Sequence, residues 1–399
     1  MVEESGVPIL FRCPISLDLF TDPVTLSTGQ TYDRPSIERW LAGGHSTCPV
    51  TMQRLEDASF VPNHTLRQLI DQWLLHGVDR RQNPLSAGIA ASLVVLKTIL
   101  QSSETPLSAM RDLLRKVRIL SADSEIGNSL LIRLGFFPIL LQVAFGPERE
   151  ANSEIFGLAL SCILNLSPSI HLKCFNLLKQ DEIFSSLVTV FEQGNLGMKT
   201  SLCLLMEIVT SCPSTREVSM LLGQSRTVLQ VLISLLQSRV SEEAAGAAAC
   251  ALAGICSVEE NIANAVREGA VNGLVCYLAT GVRRNASVAL GLLERLMRSE
   301  EGRRAAVKGG AVKVMVWWVF RASSGSEGSE HAVAALVEVC GVSSRARAEA
   351  VAAGLVPQLL LLLQSQCSIS AKAKAVELLK IFKPLWERKE EFWCFQRGR

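Results

Sequence analysis

The sequence predicts a mainly α-helical protein in two parts: a small α+β module at residues 6–80 and a long array of helices at residues 81–399. Three observations support this prediction. Within the first 75 residues, short strand-like pieces are separated by turn dipeptides such as Asp22-Pro23 and Thr28-Gly29. From about Ser86 onward, strand-like alternation almost disappears and apolar residues recur at helical spacing. The helical part also contains an internal repeat of roughly 40–47 residues, a period typical of stacked helical units.

Composition and charge exclude several classes of protein. The 399 residues are 48% apolar and 20% charged, so the chain can bury a large core. A net charge of +2 gives no reason to expect binding to nucleic acid or to an anionic membrane. The twelve cysteines stand alone, mostly in apolar runs, which is typical of buried free thiols and not of disulfides. No signal peptide and no membrane-spanning segment is expected, and we expect a cytoplasmic protein, with the nucleus or a membrane surface as alternatives.

Two helices can be placed in the N-terminal module from their start and stop signals. Asp33 stands where it can cap a helix that has Pro35 in its first turn and ends at Gly43-Gly44. Asn63 stands where it can cap a second helix, which carries apolar residues at helical spacing and is followed by Gly77.

Two short strands, at 24–26 and 31–32, and two long loops, around Cys13 and Cys48, complete the module. The order loop, hairpin, helix, loop, helix is that of a RING finger, which holds two zinc ions with eight Cys or His ligands. The stretch offers only five such residues: Cys13, His45, Cys48, His64 and His76. We therefore expect no metal and no cofactor, and hydrogen bonds and ion pairs must hold the loops instead. The polar residues placed to do so are Asp18, Asp22, Thr28, Asp33, Arg34 and Thr51.

Six motifs in a fixed order give this module a close resemblance to a U-box. They are CPIS at 13–16, DPV at 22–24, TGQTYDR at 28–34, WL at 40–41, CPVT at 48–51 and PNHTLRQLI at 62–70. The sequences of these motifs are most similar to those of plant U-box proteins that carry armadillo repeats after a short linker, a family of ubiquitin ligases. The resemblance implies recruitment of a ubiquitin-charged conjugating enzyme, transfer by positioning without a covalent intermediate on this chain, and a role in plant stress or defence signalling.

The resemblance also implies a shallow groove, formed by the two loops and the first helix, that binds the conjugating enzyme. The matching positions are Cys13, Ile15, Leu17, Trp40, Pro49 and Thr51. An exposed Ile and an exposed Trp beside a Pro would make suitable anchors for a loop of the partner. Cys13 and Trp40 are equally compatible with plain core packing. No single residue can be chosen as the one that clamps ubiquitin.

A glycine that precedes an apolar helix recurs along the second part of the chain. It stands at Gly135, Gly269, Gly310 and Gly354, and degenerate copies begin near 181 and 226. Long helices are expected at 155–166, 199–211, 242–255, 285–297, 331–339 and 371–382. This period, built from helices, is the signature of armadillo or HEAT repeats. We expect six to seven repeats stacked into a right-handed α-solenoid, because a single repeat cannot bury its own apolar face.

The long helices of an armadillo array line a concave groove, which is the expected place for a protein substrate. Asn165, Glu207 and Arg295 are the candidate substrate contacts, although such residues are more often simply solvated. Nuclear transport receptors of this fold use a ladder of Asn and Trp. Here only Asn165 fills the Asn position, so a transport role is disfavoured. A non-catalytic scaffold or adaptor stays the competing hypothesis.

The distribution of lysine limits where the protein can modify itself. Residues 1–80 contain ten acidic residues and six arginines but no lysine, and the first lysine is Lys97. Self-ubiquitination is therefore expected at Lys97 or later.

Overall fold

The structure is a computed structural model that describes residues 9–55, 57, 59–77, 84–102, 105–123, 125–146, 153–167, 172–321 and 327–397. Most of these residues are helical, which confirms the predicted fold class. The contacts divide the chain into two compact units, 1–96 and 97–399. The predicted boundary after residue 80 falls within 78–83, outside the described residues.

The first unit contains a three-stranded antiparallel sheet and two short helices. These elements are β1 (Pro23–Leu26), β2 (Thr31–Asp33), α1 (Arg34–Ala42), β3 (Phe60–Pro62) and α2 (His64–Gly77). Strand β1 is central, and Val24 lies opposite Tyr32 of β2 and Pro62 of β3. The predicted hairpin is confirmed. Strand β3 was not predicted. Its three residues are too few to show alternation, and its proline is a residue found mainly in edge strands.

The two predicted helix starts are capped in different ways. Asn63 Oδ1 accepts the backbone N–H of Leu66 at 3.0 Å, which is the expected cap of α2. Asp33 occupies the N-cap position of α1 but makes no capping hydrogen bond with its side chain. Its carboxylate is engaged elsewhere in the unit, and Pro35 in the first turn has no N–H that needs an acceptor.

One apolar core connects the sheet, the helices and both long loops of the first unit. Its buried members are at most 5% exposed and are Cys13, Phe20, Val24, Leu26, Tyr32, Ile37, Cys48 and Ile70. Burying one large aliphatic or aromatic side chain contributes about 1.5–3 kcal/mol. Since both loop cysteines are completely buried, each loop is held to the core through its first residue.

The second unit is an array of packed helices. They are α4 (Leu107–Asp123), α5 (Glu125–Arg133), α6 (Phe136–Phe145), α7 (Ser153–Leu166), α8 (Asp181–Gln193), α9 (Leu196–Thr210), α10 (Arg216–Gln224), α11 (Arg226–Gln237), α12 (Glu242–Ile255), α13 (Ile262–Glu268), α14 (Ala270–Ala279), α15 (Ala286–Met297), α16 (Glu300–Lys308), α17 (Ala311–Arg321), α18 (Glu327–Val342), α19 (Ser344–Ala352), α20 (Leu355–Gln364) and α21 (Ile369–Arg397), while α3 (Pro84–Gln101) crosses the division between the units. All six predicted long helices are present, as α7, α9, α12, α15, α18 and α21. Each packs against the next in one row. The right-handed sense of the solenoid stays a prediction.

Within the described ranges, no single helix is both long enough and apolar enough to cross a membrane, although three pairs of helices that meet at a bend reach that length and composition when taken together.

The glycine before an apolar helix is required by its backbone conformation. Gly269 has a φ of +100° and Gly354 a φ of +80°, in the left-handed region where an L-residue costs about 1–2 kcal/mol. The chain bends by 73° between α19 and α20, and two residues, Ala353 and Gly354, make the turn. Where the glycine is missing, Ser225 begins α11 with an ordinary φ of −75° and accepts the N–H of Val228 with its side chain.

Gly354→Ala should lower the free energy of unfolding by about 1–2 kcal/mol, because the left-handed φ penalises an L-residue although the added methyl meets no other atom. Gly157, inside α7, also has open space around its Cβ and is the matched control. Gly157→Ala should raise the free energy of unfolding by about 1 kcal/mol, since alanine is the better helix former. Urea unfolding followed by circular dichroism measures both changes. Changes of the same sign would contradict the turn requirement.

Candidate functional site

The two long loops of the first unit share one backbone pattern. In each loop a buried cysteine donates its N–H to the carbonyl five residues ahead, and the residue four ahead donates back to the cysteine carbonyl. The bonds are Cys13 to Asp18 and Leu17 to Cys13 in the first loop, and Cys48 to Gln53 and Met52 to Cys48 in the second, all 2.8–2.9 Å long. Leu17 and Met52 both have a left-handed φ, +61° and +58°. Such a conformation is unfavourable for a bulky residue and commonly marks functional sites.

Both loops are hydrogen-bonded to neighbouring residues of β2. In the first loop, Sγ of Cys13 accepts the backbone N–H of Asp33 at 3.3 Å. In the second loop, the hydroxyl of Tyr32 lies 3.0 Å from Sγ of Cys48 and accepts the N–H of Val50 at 3.2 Å. Because the Tyr32 oxygen accepts from Val50, its hydrogen is available to donate to Cys48. One strand therefore sets the position of both loops.

The environment of Cys48 favours its thiolate. Burial alone would raise the pKa of this thiol, but hydrogen bonds from Thr28, Thr51 and Tyr32 outweigh burial and lower the pKa to about 6. Burial, together with the bond to Cys48, raises the pKa of Tyr32. Cys48 is completely buried, so its sulfur serves as a hydrogen-bond acceptor inside the module and is not accessible as a nucleophile.

A carboxylate and an ion pair hold the turn that leads into β1. Asp33 Oδ1 accepts the N–H groups of Thr21 and Asp22, both at 2.7 Å, and Oδ2 accepts the Thr21 hydroxyl at 2.8 Å. Arg34 Nε bonds Asp22 Oδ2 at 2.6 Å. The guanidinium of Arg34 also lies 5.1 Å from the centre of the Phe60 ring, which ties β3 to the same cluster.

The polar residues predicted to hold the loops do so, with one exception. Thr28 bonds Cys48 at 3.4 Å, and Thr51 adds a further hydrogen bond to the same sulfur. Asp18 takes part through its backbone carbonyl, which accepts from Cys13, and its backbone N–H, which donates to Ser16 Oγ at 3.4 Å. The prediction of a structural side chain at Asp18 was therefore wrong. Among the described residues, no group of three or more His, Cys, Asp or Glu side chains could hold a metal ion.

The predicted contacts for a conjugating enzyme differ in their exposure. Leu17 is 67% exposed and Thr51 is exposed, while Ile15 and Pro49 are half-buried. Cys13 is completely buried, so its side chain cannot touch a partner. The predicted contact role of Cys13 does not fit this position, and Cys13 acts as a core residue that anchors the first loop.

Trp40 connects α1 to the second loop. Its Nε1 donates to the carbonyl of Thr47 at 2.9 Å, and its ring stacks on His45 with 4.1 Å between ring centres. Trp40 is half-buried, so it both supports the loop and keeps part of its ring at the surface. Its contact with a partner stays a prediction.

Two exposed residues of the second loop were not predicted as contacts. Val50 is 51% exposed and Met52 is 71% exposed. They occupy the positions of Ile15 and Leu17 in the first loop, two and four residues after the cysteine. The repeated pattern CPISL and CPVTM was the signal that could have revealed them. We call Ile15, Leu17, Val50 and Met52 the loop rim.

Tyr32→Phe should loosen the second loop, because it leaves the Val50 N–H without its acceptor and removes a donor from Cys48. Losing this hydrogen bond and leaving the Val50 N–H unpaired should lower the free energy needed to open the second loop by about 1–3 kcal/mol. Hydrogen exchange measured by mass spectrometry should show faster exchange at residues 48–53. The first loop, at residues 13–18, is the control within the same molecule and should be unchanged. Equal exchange in wild type and variant at 48–53 would remove Tyr32 as the anchor.

A network of charged side chains joins three long helices of the second unit. Glu294 of α15 bonds His331 Nδ1 of α18 at 2.6 Å, and Lys374 of α21 lies 3.7 Å from Glu294 and 3.4 Å from Glu330. The hydrogen bond from His331 and the charges of Lys374 and Arg298 lower the pKa of Glu294. The network was not predicted, because its members stand about one repeat apart in the sequence and only stacking brings them together.

The three predicted substrate contacts also have different surroundings. Asn165 donates to the hydroxyl of Ser121 at 3.1 Å, and Arg295 donates to the carbonyl of Cys256 at the end of α12, also at 3.1 Å. Glu207 is exposed. Asn165 and Arg295 therefore help to join neighbouring repeats, and contact with a substrate stays a prediction for all three.

Two family models match the chain: the U-box domain at residues 7–78 and the plant U-box protein ARM repeat region at residues 91–393. In Arabidopsis thaliana, U-box domain-containing protein 26 is 32% identical over 95% of this chain and 92% of its own length. E3 ubiquitin-protein ligase PUB23 of the same plant is 30% identical over 97% of this chain and 95% of its own. The crystal structure of an engineered protein covers 75% of this chain and is covered over 69% of its length, with a TM-score of 0.58 at 22% identity.

Proposed function

The chain belongs to the family of plant U-box proteins with armadillo repeats. On this basis we propose which of its residues recruit the conjugating enzyme and which bind the substrate. As an E3 ubiquitin ligase, it uses its U-box to recruit a ubiquitin-charged conjugating enzyme and promotes transfer of ubiquitin to a protein substrate. We assign recruitment to the loop rim together with the exposed part of Trp40, and substrate binding to the row of long helices.

The repeated loop conformation is the observation that supports the loop rim most strongly. Leu17 and Met52 are large apolar side chains, both more than 60% exposed, on backbone positions where glycine would be less strained. Folding alone gives no reason to keep them there. Burying one such side chain against a partner contributes about 1.5–3 kcal/mol, which suits a complex that must form and dissociate in each cycle.

The contribution of this chain to the chemistry is positioning. Both cysteines of the U-box are completely buried, so neither can take up ubiquitin as a thioester. The loops are fixed on β2 by hydrogen bonds and core packing, and a partner bound to the loop rim is held in one orientation. Holding thioester and attacking amine in a productive geometry makes the transfer effectively unimolecular.

We further propose a cytoplasmic location and a role in plant stress and defence signalling. The described cysteines are all free thiols, which is consistent with a reducing compartment. The signalling role rests on the family resemblance. Cell fractionation tests the location, and the response of a loss-of-function plant to a microbial elicitor tests the role.

Met52→Gly and Leu17→Gly should reduce ubiquitin-chain formation at least tenfold in a reconstituted mixture with a panel of conjugating enzymes. The free energy of unfolding should stay within about 1 kcal/mol of wild type, because two effects oppose each other. Glycine removes the strain of the left-handed backbone in the folded state, but it also loses more conformational entropy when the chain folds. These variants remove only an exposed side chain, whereas Trp40→Ala would also remove the hydrogen bond to the carbonyl of Thr47.

Val61→Ser is the matched control, since Val61 is 69% exposed on β3 and lies outside the loop rim. It should leave chain formation unchanged. Wild-type activity in both glycine variants would contradict the assignment of the loop rim. Inactivity of the wild type with every conjugating enzyme would favour the scaffold hypothesis.

Self-ubiquitination should occur on the armadillo repeats and favour lysines beyond Lys97. Lys97 is the first lysine, but its amine donates to the carbonyl of Leu134 at 2.7 Å and must be released before it can attack. Lys116 is the next lysine and is exposed. Mass spectrometry of the self-modified protein should find ubiquitin remnants at Lys116 or later. Lys97→Arg should not change the rate, and a slower rate in that variant would show that Lys97 is a main acceptor.

A further inference from the structure

A cationic cleft lies between α16 and the turn that leads into α19. Its volume is about 510 Å³, and it is lined by Glu300, Arg303, Arg304, Val307 and Lys308 of α16 and by Val342, Ser343 and Arg345. Four of these side chains are cationic and one is acidic. The acidic one, Glu300, is already paired with Arg304. The cleft therefore offers an excess of positive charge to whatever enters it.

An ion pair elsewhere in the array shows how a cation on one short helix can be neutralised from the next repeat. Arg216, at the start of α10, forms an ion pair at 2.9 Å with Glu260, which stands 44 residues further on. In the cleft, no carboxylate of the described residues forms an ion pair with Arg303 or Arg345. A cation in the first turn of α19 is also unfavourable, because that end of a helix is positive.

The cations of the cleft have few partners of their own. The side chains of Lys308 and Arg345 form no ion pair or hydrogen bond with any residue that the structure describes. Arg303 donates Nη1 to the carbonyls of Met297 and Arg298 at 2.9 and 2.8 Å. Its Nε is buried and has no acceptor among the described residues. Unpaired cations and a buried donor gathered in one cleft are what an anionic ligand would satisfy.

We propose that this cleft binds a phosphorylated serine or threonine of a protein partner, which on the function proposed above is the ubiquitination substrate. A phosphoryl group carries a charge near −2 and three acceptor oxygens, which suits two arginines and a lysine. Arg303 is half-buried in the cleft, so the ligand has to enter between α16 and the turn. Val307 and Val342 in the same lining offer apolar contacts for residues beside the phosphate. A side chain on a peptide fits these features better than a flat lipid surface does.

Retention of the purified full chain on immobilised peptides tests this inference. One peptide library carries a fixed phosphoserine flanked by randomised positions, and the other carries serine instead. We expect at least tenfold more wild-type protein on the phosphoserine library. Arg345→Glu should reduce retention to the level of the serine library, because it replaces one of the cations that line the cleft by an anion that repels a phosphoryl group. Arg239→Glu changes the charge equally at an exposed position outside the cleft and should retain wild-type binding.

Several results would overturn the inference. They are equal retention on both libraries, wild-type retention by Arg345→Glu, and an equal loss in Arg239→Glu, which would show unspecific charge attraction. Binding to phosphatidylcholine vesicles that contain phosphatidylinositol 4,5-bisphosphate, without preference for the phosphoserine library, would identify a lipid ligand instead. Two variants distinguish failure of this inference from failure of the proposed function. Arg345→Glu should lose peptide retention but keep wild-type self-ubiquitination, and Met52→Gly should keep wild-type peptide retention.

Discussion

Two consecutive residues of one short strand hold the conjugating-enzyme module together. Tyr32 bonds the sulfur of Cys48, and the backbone N–H of Asp33 bonds the sulfur of Cys13. Tyr32 uses its side chain and Asp33 its backbone N–H, so adjacent residues of β2 can bond both loops at once. In a RING finger, metal ions set the loop positions. In the described residues of this module, hydrogen bonds between β2 and the two loop cysteines set the loop positions instead. The loops therefore depend on these bonds to β2.

A rigid support of this kind explains why the loops can keep unfavourable features. Leu17 and Met52 combine a left-handed backbone with a large exposed apolar side chain. The surrounding hydrogen bonds determine that backbone, so the cost is met by the rest of the module. A U-box ligase acts by orienting its partner, and orientation requires contact residues that do not move relative to the core. On the proposed function, strain at the loop rim and rigidity at β2 are two parts of the same requirement.

The armadillo array follows a different logic, because its stability comes from repetition. Each long helix packs on the next, and ion pairs such as Arg216–Glu260 connect neighbouring repeats. A repeat whose charges break this pattern is therefore informative. Around α16 and α19 the side chains of Lys308 and Arg345 have no such partner among the described residues, and their positive charge lines a cleft. The network of Glu294, His331 and Lys374, by contrast, is satisfied internally.

The amino-acid sequence by itself determined the order and type of the main elements, because helix caps, turn dipeptides and a glycine at left-handed positions are local signals. Asn63, Gly269 and Gly354 act as their local context predicts. Only the tertiary structure decided which side chains of the loops are exposed and which are buried. Cys13 proved to be core, Asp33 serves a distant turn in place of its own helix, and Val50 and Met52 join the rim. These outcomes depend on contacts between residues far apart in the chain, and the spacing of residue types along one sequence does not record such contacts.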